Sequence, residues 1–178
     1  DVRTTEDGYP RSVLLMGGAE GAGCLVRAAR ELLERTSSRV TIVCARNKKL
    51  REKLEEELTP EYGGRVRLLG FISNMDDEMR AADLVVMRGS PNSAMEAAAL
   101  NRPLIIIDAL PGQEAHNPRV LASHGLCVYQ PEVERLAETV RELFDPATGL
   151  REKMSADQRA YMDPKCPGKI AEMLMERI

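Results

Sequence analysis

The densest chemistry in the sequence lies between residues 87 and 117, MRGSPNSAMEAAALNRPLIIIDALPGQEAHN. Pro91 fits the first position of a helix and Ser90 its N-cap. On that register Asn92, Ser93 and Glu96 fall at i, i+1 and i+4 on one face, and Ala94, Met95, Ala97 and Ala98 turn towards a packing surface. Small polar groups at a helix N-terminus suit an anion, because free N–H groups and the helix dipole point at it. A carboxylate one turn further in could accept hydrogen bonds from ribose hydroxyls. A structural account exists as well: Ser93-x-x-Glu96 matches a capping box, in which Glu96 needs no ligand. Spacing alone leaves both open. Beyond the apolar run PLIIID, Pro111-Gly112 makes a turn, and Gln113, Glu114 and Asn117 stand on the first turn of the next helix. Amides and a carboxylate at that spacing could hold several hydroxyls of one sugar ring. Capping could employ one or two of them, hardly three.

A third loop, MGGAEGAG (16–23), is rich in glycine. Its backbone could approach a phosphate closely, or could simply let a strand and helix pack. It is no dinucleotide fingerprint: counted from Gly21 and Gly23, the sixth position is Val26. Nor does an acidic residue close the second strand, where VCARNKK stands, and there is no GK[ST] of a Walker loop. The two histidines, His116 and His124, read as structural. No nucleophile elbow, Ser/His/Asp order, metal triad or DxD motif can be assembled.

The elements that must position these loops alternate with regularity. Strand-like runs cover residues 12–16, 39–45, 65–71, 84–87, 103–108 and 126–129. Helical patterns cover 24–36, 48–58, 75–82, 91–100, 113–124 and 131–144, with at least one more helix beyond Pro167. Continuous Val/Ile/Leu runs mark strands buried on both faces. Strict β/α alternation then requires right-handed crossovers, hence a doubly wound, Rossmann-like parallel sheet. Such sheets bind ligands at the carboxyl ends of their strands, where all three loops fall. Residues 1–11 are expected to be a linker and 12–178 one domain.

Composition narrows the class further. The 178 residues suit one domain, with 43% hydrophobic and 30% charged residues. A formal charge of -3 gives no basic footprint for nucleic acid. No apolar run reaches the roughly 18 residues of a membrane span, and the polar N-terminus is no signal peptide. That N-terminus also lacks Met, so a fragment or processed product is expected. Cys24, Cys44, Cys127 and Cys166 form no CxxC pair. Cys44 and Cys127 read as small buried hydrophobes in a reducing cytosol. Aromatics at 3% and no Trp argue against an aromatic platform for sugar or RNA.

Five blocks in order, LLMGGAEGAG, VTIVCARNKKL, LLGFISNMDDEMRAADLVV, GSPNSAMEA and PGQEAHN, resemble the C-terminal half of the monogalactosyldiacylglycerol synthase family. These are GT-B glycosyltransferases, similar also to bacterial diacylglycerol glucosyltransferases and to MurG. The resemblance spans about Ser12 to Phe144. It implies a UDP-sugar donor held mainly by this domain. By position, Gly17 and Gly18 would lie beside the diphosphate and sugar, and Phe71 and Ile72 would border the uracil. Ser90, Asn92 and Ser93 would bind the diphosphate, Glu96 the ribose, and Gln113, Glu114 and Asn117 the donor sugar or its phosphate. The implied reaction is inverting transfer of galactose or glucose from a UDP-hexose to a diacylglycerol-like lipid. Helix N-termini would carry the charge, so neither a metal nor another cofactor is required. The catalytic base, the lipid acceptor site and most membrane contact would belong to an N-terminal domain that these residues do not include. The full-length protein is then expected in the cytoplasm, peripheral at the inner face of the membrane. The family pattern Lys-x-Gly-Pro-Gly-Thr reads Arg88-Gly-Ser-Pro-Asn-Ser93 here, and a usual Gly is His116. Rival readings are a UDP-N-acetylglucosamine 2-epimerase-like isomerase domain and a non-catalytic nucleotide-binding module.

Overall fold

The computed structural model describes residues 2–17, 22–109, 111–112, 114–163, 168, 172–173 and 175. The chain alternates β1 (Ser12–Met16), α1 (Ala22–Arg35), β2 (Arg39–Val43), α2 (Lys48–Tyr62), β3 (Val66–Leu69), α3 (Met75–Ala81) and β4 (Leu84–Arg88). It continues through α4 (Pro91–Ala99), β5 (Leu104–Asp108), α5 (Asn117–Ser123), β6 (Val128–Tyr129), α6 (Leu136–Phe144) and α7 (Leu150–Tyr161). The strands form one sheet in the order β3-β2-β1-β4-β5-β6, every pair parallel. The chain therefore winds outward from β1 to β3, returns to β4, and winds outward the other way. The β1/β4 junction is the topological switch point, where a crevice opens at the carboxyl edge.

Alternate residues of each strand feed two cores. Val13 and Leu15 of β1 face Leu25 and Leu32 of α1, Leu54 of α2 and Val140 of α6. Leu14 instead joins Met79 of α3 and Ala94 and Ala97 of α4. Helices on both faces are what the unbroken apolar strands demanded, and the fold is the doubly wound, Rossmann-like one expected. No helix among the described residues is long and apolar enough to cross a membrane.

Residues 2–11, expected as a linker, lie against the body. Tyr9 is buried, its ring under the Arg141 guanidinium, and Thr4 pairs with Pro10 in an antiparallel bridge. Asp83, 1% exposed, clamps this segment: its carboxylate accepts from Arg3 N at 2.8 Å, Ser12 N at 3.0 Å and Ser12 Oγ at 2.7 Å.

α2 runs past its expected end at Leu58, through Pro60 to Tyr62, and three elements further along the chain also differ from the sequence reading. The helix expected over 113–124 begins only at Asn117, because Gly112 takes φ +89° and residues 114–116 close a turn on it, Ala115 N donating to Gly112 O at 3.2 Å. The sixth strand is shortened to Val128–Tyr129, since Gly125 at φ +71° ends α5 and Leu126 N donates back to Leu121 O. α7 was not anticipated. Beyond Pro167, the described residues 168, 172–173 and 175 are helical.

Cys44 and Cys127 are buried, as small hydrophobes should be. Burial pushes the Cys127 thiol up to about 12. At pH 8 its thiolate fraction is then on the order of one in ten thousand, so alkylation is slow. Iodoacetamide at pH 8 should leave Cys127 unmodified in the native domain and modify it in urea, as read by peptide mass mapping. Native labelling as fast as denatured labelling would contradict this burial.

Candidate functional site

The polar clusters meet at the switch point, and Arg88 joins them. It ends β4 with a side chain only 13% exposed, its Nε 3.2 Å from Asp108 Oδ2 at the end of β5. Its Nη1 reaches back to Gly17 O at 3.4 Å, at the end of β1. One guanidinium thus spans the carboxyl ends of three neighbouring strands. The register shift between Met87 and Arg88 makes this reach available, setting Arg88 opposite Asp108 while Met87 stays opposite Ile106.

Gly89 closes the second loop on the third. Its N–H donates to Asp108 O at 2.7 Å. A Cβ at this position would come within 2.7 Å of Pro118 Cγ and 3.3 Å of Asp108 O. Glycine is therefore required for α5 to sit against the start of α4. Pro118, buried near the start of α5, supplies the contact.

α4 begins as its sequence signals dictate, with Ser90 as N-cap in extended conformation (φ -65°, ψ 120°) and Pro91 following. The Ser90 side chain makes no capping bond. Pro91 has no N–H, and among the described residues nothing accepts from Asn92 N or Ser93 N. Two backbone donors are thus left facing outward at the positive end of the helix dipole, the composition of an anion site. Ser93 is the third helical residue and cannot be the N-cap, which removes the capping-box account of Glu96. Glu96 is exposed on the same face as Asn92 and has no side-chain partner among the described residues. Ala94, Ala97 and Ala98 are buried as expected, whereas Met95 is only half-buried.

The other expected residues fall as follows. Gly17 is at the end of β1, but its need for glycine comes from packing: a Cβ there would overlap Leu25 Cδ1 of α1. Gly18 and Gln113 lie outside the described residues. Glu114 is in the turn before α5 and Asn117 is the first residue of α5, so the two do not share a helical face as their spacing implied. Asn117 N donates to Glu114 O at 3.1 Å, which keeps them adjacent. Phe71 and Ile72 follow β3, which is bound to the loop after β2 by Cys44 N donating to Leu69 O at 2.8 Å. Phe71 is 67% exposed, with the Arg46 guanidinium 4.9 Å from its ring centroid. They share the carboxyl edge with α4 but lie about 14 Å along the sheet, three strand spacings away.

Arg88 and Asp108 carry most of the site's organisation, and neither was given a role from sequence. The available signal was a charged residue ending each of two apolar runs, LVVMR and PLIIID. His116 caps α5 by its backbone alone, and the His124 ring lies 5.1 Å from that of Tyr161. Burial, reinforced by the Asp108 charge, raises the Cys24 thiol, which suits no nucleophile. Among the described residues no three His, Cys, Asp or Glu side chains are grouped as a metal ion would need.

Comparison with known proteins follows this architecture. The family model described as "Glycosyltransferase family 28 C-terminal domain" matches residues 12–163. The chloroplastic monogalactosyldiacylglycerol synthase of Spinacia oleracea is 29% identical over 180 residues, covering 97% of this chain and 34% of its own length. The chain thus spans about one third of the curated relatives it matches. Among solved structures, MurG of Acinetobacter baumannii superposes with a TM-score of 0.69 at 19% identity, over 99% of this chain and 55% of its own. The UDP-GlcNAc 2-epimerase of Neisseria meningitidis, bound to UDP-GlcNAc, superposes with a TM-score of 0.72 at 16% identity, over 97% of this chain and 45% of its own. These two likenesses concern the fold, the Rossmann-like half of a GT-B architecture. The family match covers most of the chain and the doubly wound sheet agrees with it: the chain belongs to the glycosyltransferase family 28 C-terminal domain family.

Proposed function

We propose that this domain holds a UDP-hexose, galactose or glucose, for inverting transfer to the hydroxyl of a diacylglycerol-like lipid. The observation that carries the reading is the pair of open amides at Asn92 and Ser93, at the start of the helix that follows Arg88, whose guanidinium bridges Gly17 O and Asp108 at the switch point. A diphosphate meets both there: hydrogen-bond donors from α4 and a cation held by Asp108. Ser90 sits at the rim of that cradle. Glu96, one turn on and without a protein partner among the described residues, receives the ribose hydroxyls. The uracil lies along the edge towards Phe71 and Ile72. Glu114 and Asn117 face the sugar from the adjoining loop, together with Gln113, and Gly17 and Gly18 border the diphosphate.

In the transfer step the acceptor oxygen bonds to the anomeric carbon as the bond from that carbon to the phosphate oxygen breaks. The acceptor proton goes to a base outside this domain. The charge gathering on UDP is met by the α4 amides, the helix dipole and Arg88, preorganised donors of the kind that stabilise a leaving group. That arrangement calls for no metal ion. The isomerase reading draws on fold likeness alone, whereas the transferase reading draws on the family as well. The lipid acceptor and a peripheral position on the membrane belong to the whole protein.

Titration calorimetry tests the donor half. The domain should bind UDP weakly and transfer no hexose by itself. Glu96→Ala should weaken UDP about tenfold or more, the worth of a charged hydrogen-bonded group, and leave inorganic pyrophosphate unchanged. No heat with UDP from a folded domain would remove the nucleotide reading. An unchanged UDP affinity in the variant would remove Glu96 from the ribose. Turnover of UDP-sugar by the full-length protein without an acceptor would favour the isomerase.

A further inference from the structure

Three arginines stand on adjoining lengths of backbone at the amino edge of the sheet. The antiparallel bridge between Thr4 and Pro10 sets Arg3 opposite Arg11, and Arg11 N donates to Arg3 O at 3.0 Å. Arg39 N, at the start of β2, donates in turn to Arg11 O at 2.9 Å. All three side chains belong to residues that line one cleft of about 390 Å³, together with Thr5, Ser12 and Ser37. Like charges on neighbouring extended segments repel, so the row costs stability unless something offsets it. The protein offsets one of them, with Arg3 Nε 3.3 Å from Asp83 Oδ1. Arg11 Nε donates to Thr4 O at 3.0 Å but meets no acid among the described residues. The exposed Arg39 side chain has no partner at all among them. Asp7 is the acid nearest in sequence to this wall, and it is engaged elsewhere, accepting from Ser37 Oγ at 2.6 Å and from Thr5 Oγ1.

We infer that this cleft is a second anion site, at the edge opposite the donor crevice, for a small soluble molecule carrying two phosphate groups. Arg11 and Arg39 each offer a planar fork of donors that matches one oxyanion group, so two such groups satisfy both. The volume admits a diphosphate or a compact metabolite bearing two phosphates. The site cannot be an extension of the α4 crevice. Ser12 and Arg39 open β1 and β2, whereas Arg88 closes β4, about 13 Å away along the strand direction. None of the large apolar side chains exposed among the described residues lines the cleft, so its chemistry fits a free ion in water and no lipid surface. An occupant bridging Arg11 and Arg39 ties the segment that leads into β1 to the start of β2. The inference stands apart from the donor reading.

Titration calorimetry with inorganic pyrophosphate tests it, on the domain already saturated with UDP and at constant ionic strength. A saturable site should remain, and pyrophosphate should raise the thermal midpoint. Arg39→Ala should weaken that site about tenfold or more, the worth of charge-assisted hydrogen bonds, and leave UDP affinity unchanged. Without pyrophosphate this variant should melt no lower than wild type, because a repulsion has gone. Arg88→Ala should leave the site in place. A UDP-saturated domain that takes no pyrophosphate overturns the inference, and so does an Arg39→Ala variant that binds it within threefold of wild type. A parallel loss of UDP affinity overturns it as well, by placing Arg39 in the nucleotide site. Displacement of pyrophosphate by phosphatidylglycerol vesicles would do the same, by giving the cleft to a lipid headgroup. If UDP does not bind at all, wild type and Arg39→Ala are compared on pyrophosphate alone, so this site can stand while the donor reading falls.

Discussion

Replacing Asp83 with alanine should cost the domain about 3 kcal/mol or more of stability, the largest loss expected from any exchange of a single polar residue here. Its carboxylate is 1% exposed and accepts from two backbone N–H groups, Arg3 N and Ser12 N, and from Ser12 Oγ. Arg3 Nε adds an ion pair at 3.3 Å, of little weight because that side chain is 58% exposed. Removing the acceptor strands donors at the junction where the N-terminal segment enters β1. A buried donor without a partner costs about 1–3 kcal/mol. Asp83→Asn isolates the chemistry, since its amide keeps the shape but offers one oxygen where two served. It should fall between wild type and alanine. Ser12→Ala removes the hydroxyl that both donates to Asp83 Oδ2 and accepts from Asp83 N at 3.1 Å. Urea unfolding of the two single variants and the double should therefore show strong non-additivity. A loss below about 1 kcal/mol for Asp83→Ala would mean that water replaces the clamp. UDP binding by the folded fraction should persist, because Asp83 precedes β4 at the amino edge and the crevice opens at the other end.

The parallel sheet that sets Asp83 and the crevice at opposite edges was legible in the sequence, for a definite reason. Runs such as SVLLM, LVVM and PLIIID have no polar alternation, so each had to be buried on both faces, which leaves a parallel doubly wound sheet. Ser90-Pro91 carries its own helix register, which is why Ala94, Ala97 and Ala98 could be assigned to the packed side of α4 and Asn92 and Glu96 to the side away from it. What was hidden depends on information a local window does not contain. α7 buries only Met154 and Gln158 among its twelve residues, too weak a stripe to show as a period. The turn through 114–116 depends on Gly112 entering the left-handed region, and Pro111-Gly112 is equally compatible with an immediate helix start. That Gly17 must be glycine for Leu25 to pack against it is equally invisible in a local window, since the two meet only when α1 folds back on β1. The Arg88–Asp108 pair needs the register of β4 on β5, with its shift, before the two residues can be seen as neighbours.

Arg88→Ala should raise the Kd for UDP about a hundredfold, the largest effect expected on the site. Two losses combine. The cation beside the α4 amides disappears, and a charge-assisted contact to phosphate in a largely enclosed position is worth about 1.5–3 kcal/mol. The bridge from Gly17 O to Asp108 also disappears, so the first loop is no longer held to the second and third. The stability cost should be smaller, about 1–2 kcal/mol, since Asp108 is 39% exposed and can rehydrate when its partner goes. Arg88→Lys distinguishes the two contributions. One ammonium restores a charge near the diphosphate but cannot span Gly17 O and Asp108 Oδ2 with separate nitrogens of a planar fork. Its UDP affinity should be intermediate, and its affinity for pyrophosphate should recover further than its affinity for UDP, whose longer body depends on the loops being fixed. Asp108→Asn should act in the same direction as Arg88→Lys, by loosening the guanidinium while leaving it charged. If Arg88→Ala binds UDP within threefold of wild type while folded, then Arg88 is a strut between strands, and the diphosphate must be carried by the α4 amides alone.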